Sequence, residues 1–230
     1  MKNLIILAGG KSSRFQESFP NTHKMLLPWK NQLWIDEFLH VIVNTHKFKK
    51  IYFSLGCYSD QVISYLDSSI YKDLIEYFIE NVPLGTGGGT MTTMKLFNLK
   101  NSYVMNCDSL YYGNLEQIDK FKFTKNMNIC MGLVNVSDRS RFGNVEYENG
   151  FITSFKEKNN KGFGLINSGI YKVNYELFNN FKVNTNFSFE HDIFEKIVMD
   201  REIYAFVLEG QYVDIGVPDE YFKSHKIYGF

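Results

Sequence analysis

The segment Leu7-Ala8-Gly9-Gly10-Lys11-Ser12-Ser13-Arg14-Phe15 places two glycines and two cations directly after an apolar run, with Lys24 and Pro28 close behind. Backbone N–H groups in a glycine turn can cradle phosphate oxygens, and Arg14 and Lys24 would neutralise the charge of an arriving triphosphate. A helix-capping turn with two solvated cations is the alternative use of the same residues. Two better-known phosphate loops fail on spacing. A Walker A loop needs a glycine where Ile5 stands, and a dinucleotide fingerprint needs a third glycine that is absent. A second cluster, Pro83-Leu84-Gly85-Thr86-Gly87-Gly88-Gly89-Thr90, has four glycines within five residues. Each raises the entropy lost on folding, which points to backbone lying close against a ligand. A dinucleotide loop served by Asp108, and a mobile loop with no ligand, are the competing readings.

Two acids stand beside apolar stretches: Asp108 after Tyr103-Val104-Met105, and Asp214 within Val213-Asp214-Ile215-Gly216-Val217. They are candidate magnesium ligands, because Mg²⁺ takes few protein carboxylates and completes its shell with phosphate oxygens and water, while an acid among apolar residues is costly to bury unpaired. An aspartate after a strand also forms turns and caps helices. Glu157-Lys158 and Asn167-Ser168-Gly169 supply an acceptor, a cation and an amide, the mixture that a sugar phosphate needs. An exposed hairpin with charges would carry the same residues. No G-x-S-x-G elbow occurs, no cysteine sits in an activating setting, and His23, His40, His46, His191 and His225 lack metal-ligand spacing.

These groups need a scaffold that brings distant segments together. Leu4–Ala8, Ile51–Leu55, Leu74–Ile79 and Tyr103–Met105 read as strands, alternating with helical stretches around Trp34–Ile42, Val62–Leu66 and Met91–Phe97. That alternation predicts an α/β fold, a mostly parallel sheet flanked by helices, whose ligands lie beyond the carboxyl ends of the strands. Gly9-Gly10, Gly85–Gly89 and Asp108 all fall just past such ends. From Ile129 onward strands dominate, over Ile129–Val136, Gly143–Tyr147, Phe151–Phe155 and Leu165–Val173, with helical stretches near Phe187–Met199 and Asp219–Lys226. One domain over 1–230 is expected, with 1–127 mainly nucleotide-binding and 128–230 mainly concerned with the sugar phosphate and the second metal ligand.

The 230 residues carry 25 Lys plus Arg against 25 Asp plus Glu, so no summed field draws the chain onto nucleic acid or an anionic membrane. Any phosphate binding is therefore local. Three scattered cysteines, Cys57, Cys107 and Cys130, fit a reducing, cytoplasmic setting, and no stretch approaches membrane-span length.

Taken in order, Leu7-Ala8-Gly9-Gly10 through Arg14, Lys24 with Pro28, Pro83–Gly88, Asn106-Cys107-Asp108, Phe155-Lys156-Glu157-Lys158, Asn167-Ser168-Gly169-Ile170-Tyr171 and Asp214–Pro218 resemble the sugar-phosphate nucleotidyltransferases over nearly the whole chain. Within that family, Pro83–Gly88, Phe187–Phe194 and the Asp214 segment look most like D-glycero-α-D-manno-heptose 1-phosphate guanylyltransferases. The resemblance implies a Rossmann-like core with a smaller sugar-binding sheet region. It further implies transfer of GMP from GTP to a heptose 1-phosphate, yielding a GDP-heptose for bacterial surface or capsule polysaccharide. By the same resemblance, Arg14 and Lys24 meet the triphosphate, Leu7, Ala8, Gly9, Gly10, Gly85, Thr86, Gly87 and Gly88 receive the nucleotide, and Asp108 with Asp214 holds Mg²⁺. Gly143, Glu157, Lys158 and Asn167 would meet the sugar phosphate. Three positions depart from the family pattern. Ser12-Ser13 replaces a glycine–threonine pair, in a stretch also similar to molybdenum-cofactor guanylyltransferases, Cys107 replaces a glycine, and His23 replaces a proline before the lysine. Cytidylyl or uridylyl transfer to another phosphorylated acceptor, and a catalytically silent nucleotide-sugar-binding protein, are the alternatives.

Overall fold

The computed structural model describes residues 2–140, 142, 144–156 and 162–228. The chain folds into two compact units, the first formed by Met1–Pro83, Met105–Asn114 and Gly210–Phe230, the second by Leu84–Val104 and Leu115–Glu209. Neither is one continuous half of the sequence.

The first unit begins with β1 (Asn3–Ala8), a short ribbon of β2 (Pro28–Trp29) and β3 (Gln32–Leu33), and helix α1 (Trp34–Asn44). Helix α1 buries Trp34, Ile35, Phe38, Leu39, Val41 and Ile42, the one-sided spacing of an amphipathic helix. β4 (Lys50–Leu55), helix α2 (Ser59–Ser68) and β5 (Ile75–Ile79) complete this stretch. β1, β4 and β5 run parallel in the order β5-β4-β1. Their register aligns Ala8 with Leu55 and Leu55 with Ile79. The parallel arrangement expected for the first half is present.

In the second unit, helix α3 spans Gly85–Leu96 and β6 spans Asn101–Asn106, the last two residues of which belong to the first unit. The helical stretch expected around Met91–Phe97 begins earlier, with Gly85–Gly89 forming the first turn and a half of α3. Four glycines are poor helix formers, but close packing described below overrides propensity. β7 (Ser109–Tyr111), which belongs to the first unit, comes next in the chain, then in the second unit α4 (Glu116–Lys120), β8 (Ile129–Val136), β9 (Asn144–Glu148), β10 (Phe151–Lys156) and β11 (Gly164–Asn174). Phe189–Phe194 forms a π-helical turn leading into the short α5 (Glu195–Ile197). β12 (Ile203–Val207) is the last strand of the second unit, and β13 (Tyr212–Asp214) and α6 (Pro218–Tyr228) belong to the first.

The second unit's strands lie in the order β6-β11-β8-β12-β10-β9. Pairing is antiparallel between β11 and β8, and between β10 and both β9 and β12, while β12 runs parallel to β8. The strand-rich second half is thus present, with β12 added to the strands anticipated. Among the described residues no helix is long and apolar enough to cross a membrane.

Candidate active site

The parallel register of the first unit builds a cradle one residue past each strand end. Gly9 follows β1, Gly56 follows β4 and Glu80 follows β5. A methyl group on Gly56 would stand 2.4 Å from the Gly9 carbonyl oxygen, and one on Gly9 would stand 2.6 Å from Glu80 Oε1. Both glycines are therefore fixed by close contact within the fold. Gly10 differs, since an added methyl group there would meet nothing within 4 Å. Ser54 donates its hydroxyl to Glu80 Oε1 at 2.7 Å and holds that carboxylate over the turn.

Beyond Gly10, Ser12 adopts a left-handed φ of 50° and starts the 3-10 turn Ser13–Phe15. Phe15 is buried against Tyr221, with ring centroids 5.9 Å apart, and so anchors the turn from below. Arg14 stays exposed, with no salt bridge among the described residues. The turn at Lys24 is fastened from two sides: its N–H donates to the Ser12 hydroxyl at 3.2 Å, and His23 bolts it to the end of β1. His23 Nε2 lies 3.1 Å from the Ala8 carbonyl, and Nδ1 accepts the Met25 N–H at 3.2 Å, which assigns the neutral ring with its proton on Nε2. Burial, then the Lys24 charge, pushes the His23 pKa down to about 4, although the Ala8 carbonyl and Asp108 act in the other direction.

Asp108 is positioned by its neighbour. The Cys107 N–H donates to the Leu7 carbonyl at 3.2 Å, and Trp34 Nε1 donates to the Cys107 carbonyl at 2.8 Å. Asp214 arrives on β13, which pairs antiparallel with β7 so that Asp214 faces Ser109. The Ile215 N–H adds a bond to the Asp108 carbonyl at 2.8 Å. The antiparallel β7–β13 ribbon is the route by which Asp214 reaches Asp108.

The Ser109 hydroxyl lies 3.4 Å from Asp108 Oδ1 and 3.3 Å from Asp214 Oδ2. A methyl on Gly216 would stand 3.1 Å from Asp108 Oδ2 and 3.2 Å from Asp214 Oδ1, so both carboxylates rest against its bare Cα. Lys24 Nζ meets Asp108 Oδ2 at 2.7 Å, each side chain 18% exposed. Burial opposes charge on both partners, yet the Asp108 carboxylate, with help from Cys107 and Asp214, raises the Lys24 pKa, and Lys24 lowers that of Asp108. Both are ionised at neutral pH. Two carboxylates against one ammonium leave a net negative cluster with clustered oxygens, which fits a divalent cation able to take its remaining ligands from phosphates and water. No third acid or histidine joins it among the described residues.

In the second unit the glycine cluster has a packing explanation. Gly85 has a φ of 72°, and added methyl groups on Gly85, Gly87 and Gly88 would stand 2.5, 2.4 and 2.2 Å from the Phe187 carbonyl, the Phe187 ring and the Thr185 carbonyl. The N–H groups of Gly87 and Gly88 both donate to the Phe187 carbonyl at 3.1 Å. The Thr86 hydroxyl accepts the Phe189 N–H at 2.8 Å and donates to Glu190 Oε2 at 3.2 Å. Entropy alone therefore overstated the need for a ligand here. Asn167 donates to the Tyr171 hydroxyl at 2.7 Å. Gly143, Glu157 and Lys158 lie outside the described residues. Burial drives the thiols of Cys107 and Cys130 up to about 12, so neither is a thiolate at neutral pH. Sequence reasoning missed Ser109, Gly216 and Glu80, though Glu80 could have been found as the residue following the third parallel strand.

A glycine turn beyond parallel strands, joined to a two-aspartate and lysine cluster, suits an α/β protein that handles nucleotides. A nucleotidyl transferase family model matches residues 3–229, and the chain belongs to that family. It is 28% identical over 225 residues to the D-glycero-alpha-D-manno-heptose 1-phosphate guanylyltransferase of Aneurinibacillus thermoaerophilus, covering 96% of each chain. It is 30% identical over 219 residues to the enzyme of the same name from Campylobacter jejuni, covering 95% of this chain and 96% of that one. Among solved structures, HddC from Yersinia pseudotuberculosis superposes with a TM-score of 0.85 at 25% identity over 99% of this chain and 100% of its own.

Proposed function

We propose that this chain is a sugar-1-phosphate guanylyltransferase that moves GMP from GTP to a heptose 1-phosphate, giving GDP-heptose and pyrophosphate. The observation that carries the reading is the convergence of Lys24, Asp108 and Asp214 in one cluster beside the Gly9-Gly10 turn. The heptose 1-phosphate guanylyltransferases that match it over almost their full length support the choice of substrates.

The reaction is an attack by an oxygen of the sugar phosphate on the α-phosphorus of GTP, with pyrophosphate leaving. That oxygen is already ionised at neutral pH, so no general base is required. Arg14 and Lys24 bind the triphosphate and offset its charge, and the placement of Lys24, held by Asp108, reduces reorganisation during transfer. Asp108 and Asp214 would hold Mg²⁺, which supplies charge neutralisation of the phosphates. The sequence resemblance assigns base and ribose to the segment Gly85 to Gly88, whose glycines are also required by packing against residues 185–187, and the sugar phosphate to Asn167, Glu157, Lys158 and Gly143. A GDP-heptose suits glycosyl transfer into surface polysaccharide.

Pyrophosphate release measured over a matrix of nucleoside triphosphates and sugar 1-phosphates tests the reading. GTP with heptose 1-phosphate should be fastest. A preference for CTP or UTP would remove the guanylyl assignment and leave the reaction class, while no release in any pairing would leave a silent binding protein.

A further inference from the structure

Two irregularities of the second unit meet at the side chain of Tyr171. On β11, Asn167 pairs with Leu133 and Tyr171 with Met131, so the strand carries two extra residues there, with Gly169 between them at a φ of 73°. The π-helical turn Phe189–Phe194 packs onto the same ring, with Phe189 at 5.2 Å and Phe194 at 5.6 Å between centroids. Bulges and π turns both concentrate where a side chain has to be re-aimed for function.

Glu190 belongs to that turn, and its position is fixed through several bonds. The Thr86 hydroxyl donates to its Oε2 at 3.2 Å, the Ser188 N–H donates to Asp192 Oδ2 at 2.8 Å, and the His191 N–H donates to the Ser188 hydroxyl at 3.0 Å. Glu190 Oε1 makes no hydrogen bond among the described residues. Asn167 spends one amide hydrogen on the Tyr171 hydroxyl and its Oδ1 on the Gly169 N–H at 3.0 Å, which leaves its second amide hydrogen. Burial and the Glu190 charge hold the Tyr171 phenol well above its ordinary pKa, so it stays neutral. An open carboxylate oxygen, a spare amide donor and a neutral phenol are the complement of a row of sugar hydroxyls.

We propose that Glu190 is a sugar-reading residue, its Oε1 accepting a hydroxyl of the acceptor sugar 1-phosphate, with the free amide hydrogen of Asn167 as a second contact. This rests on the guanylyltransferase reading. If Glu190 served only to receive the Thr86 hydroxyl, its neutral isostere would disturb both substrates or neither.

The test is steady-state pyrophosphate release by the full chain and by Glu190→Gln and Glu190→Asp, with GTP and a series of sugar 1-phosphates that includes heptose and mannose. Loss of a hydrogen bond to a charged group should raise the KM for heptose 1-phosphate about tenfold or more in Glu190→Gln and leave the KM for GTP within about twofold. Glu190→Asp keeps the charge but withdraws it by one methylene, and should change the ranking of the sugars. Equal shifts for both substrates, or an unchanged sugar KM and ranking in both variants, would overturn the assignment while the reaction itself stands. Failure of the wild-type chain to use any sugar 1-phosphate would overturn the underlying reading and this inference with it.

Discussion

Gly216 governs how closely Asp108 and Asp214 approach, and Ser109 stands between them, so the two acids are expected to behave as one unit when a cation is bound. Asp108→Asn or Asp214→Asn alone should abolish most single-turnover activity, and the double variant should be little worse than the poorer single, because parts of one device are not additive. Losses in log rate that simply sum, at several Mg²⁺ concentrations, would assign the acids separate roles. His23 makes a prediction in pH. Its pKa is 6.5 ordinarily and about 4 in the fold, so between those values the unfolded chain binds the extra proton and the folded one does not. Stability from this group is complete above about pH 6.5 and is lost as pH falls toward 4, a loss on the order of 2–3 kcal/mol by about pH 4.5. Urea unfolding at pH 7.5 and 4.5 should therefore show a larger drop for wild type than for His23→Gln, and equal drops would show that the ring is not held neutral. At this scale the sequence exposed Arg14, Lys24, Asp108 and Asp214 through their types and neighbours. It hid the partners, since Ser109 and Gly216 matter only by distances that the chain's fold creates.

The glycines separate into two kinds once their elements are seen. Gly88 lies inside α3, and a methyl group there would stand 2.2 Å from the Thr185 backbone carbonyl, which cannot swing away as a side chain could. Gly88→Ala should gain about 1 kcal/mol of helix propensity and lose more to overpacking, for a net destabilisation of roughly 1–2 kcal/mol. Gly10 has open space around it, so Gly10→Ala should leave the melting temperature almost unchanged and raise the KM for GTP. Thermal melts and GTP kinetics on the two variants check both halves, and an unaltered KM in Gly10→Ala would mean that no phosphate approaches this backbone. Local sequence could not make the distinction, because Gly10 and Gly88 are equally disruptive by propensity. Strands β1, β4 and β8 were legible from their apolar runs. The start of α3 was not, since its stability comes from the 185–187 segment a hundred residues away. β12 also escaped notice, and its parallel pairing with β8 comes from tertiary context.

For the whole molecule, the α/β class followed from the alternation of periods, but the return of Met105–Asn114 and Gly210–Phe230 to the first unit did not, because contact between distant segments leaves no periodic trace. That return gathers Arg14, Lys24, Asp108 and Asp214 into one compact unit, and a ligand held by all of them should stabilise the folded chain by mass action. At a GTP concentration near a hundred times Kd the gain is about 2.7 kcal/mol. For a domain of this size that corresponds to a rise in Tm of roughly 5–10 °C. The rise should require Mg²⁺ if the two carboxylates are its ligands. In its absence the net negative charge of Asp108, Asp214 and Lys24 should oppose the triphosphate, and the shift should be small. Asp214→Asn should lose most of the magnesium-dependent part and retain the part due to Arg14 and Lys24. Arg14→Ala should do the reverse, keeping a magnesium response of reduced size. A melting series with GTP, Mg²⁺ and both together, run on the three proteins, decides the matter: a full shift by GTP with Mg²⁺ in Asp214→Asn would take Asp214 out of the cation site, whatever its effect on turnover.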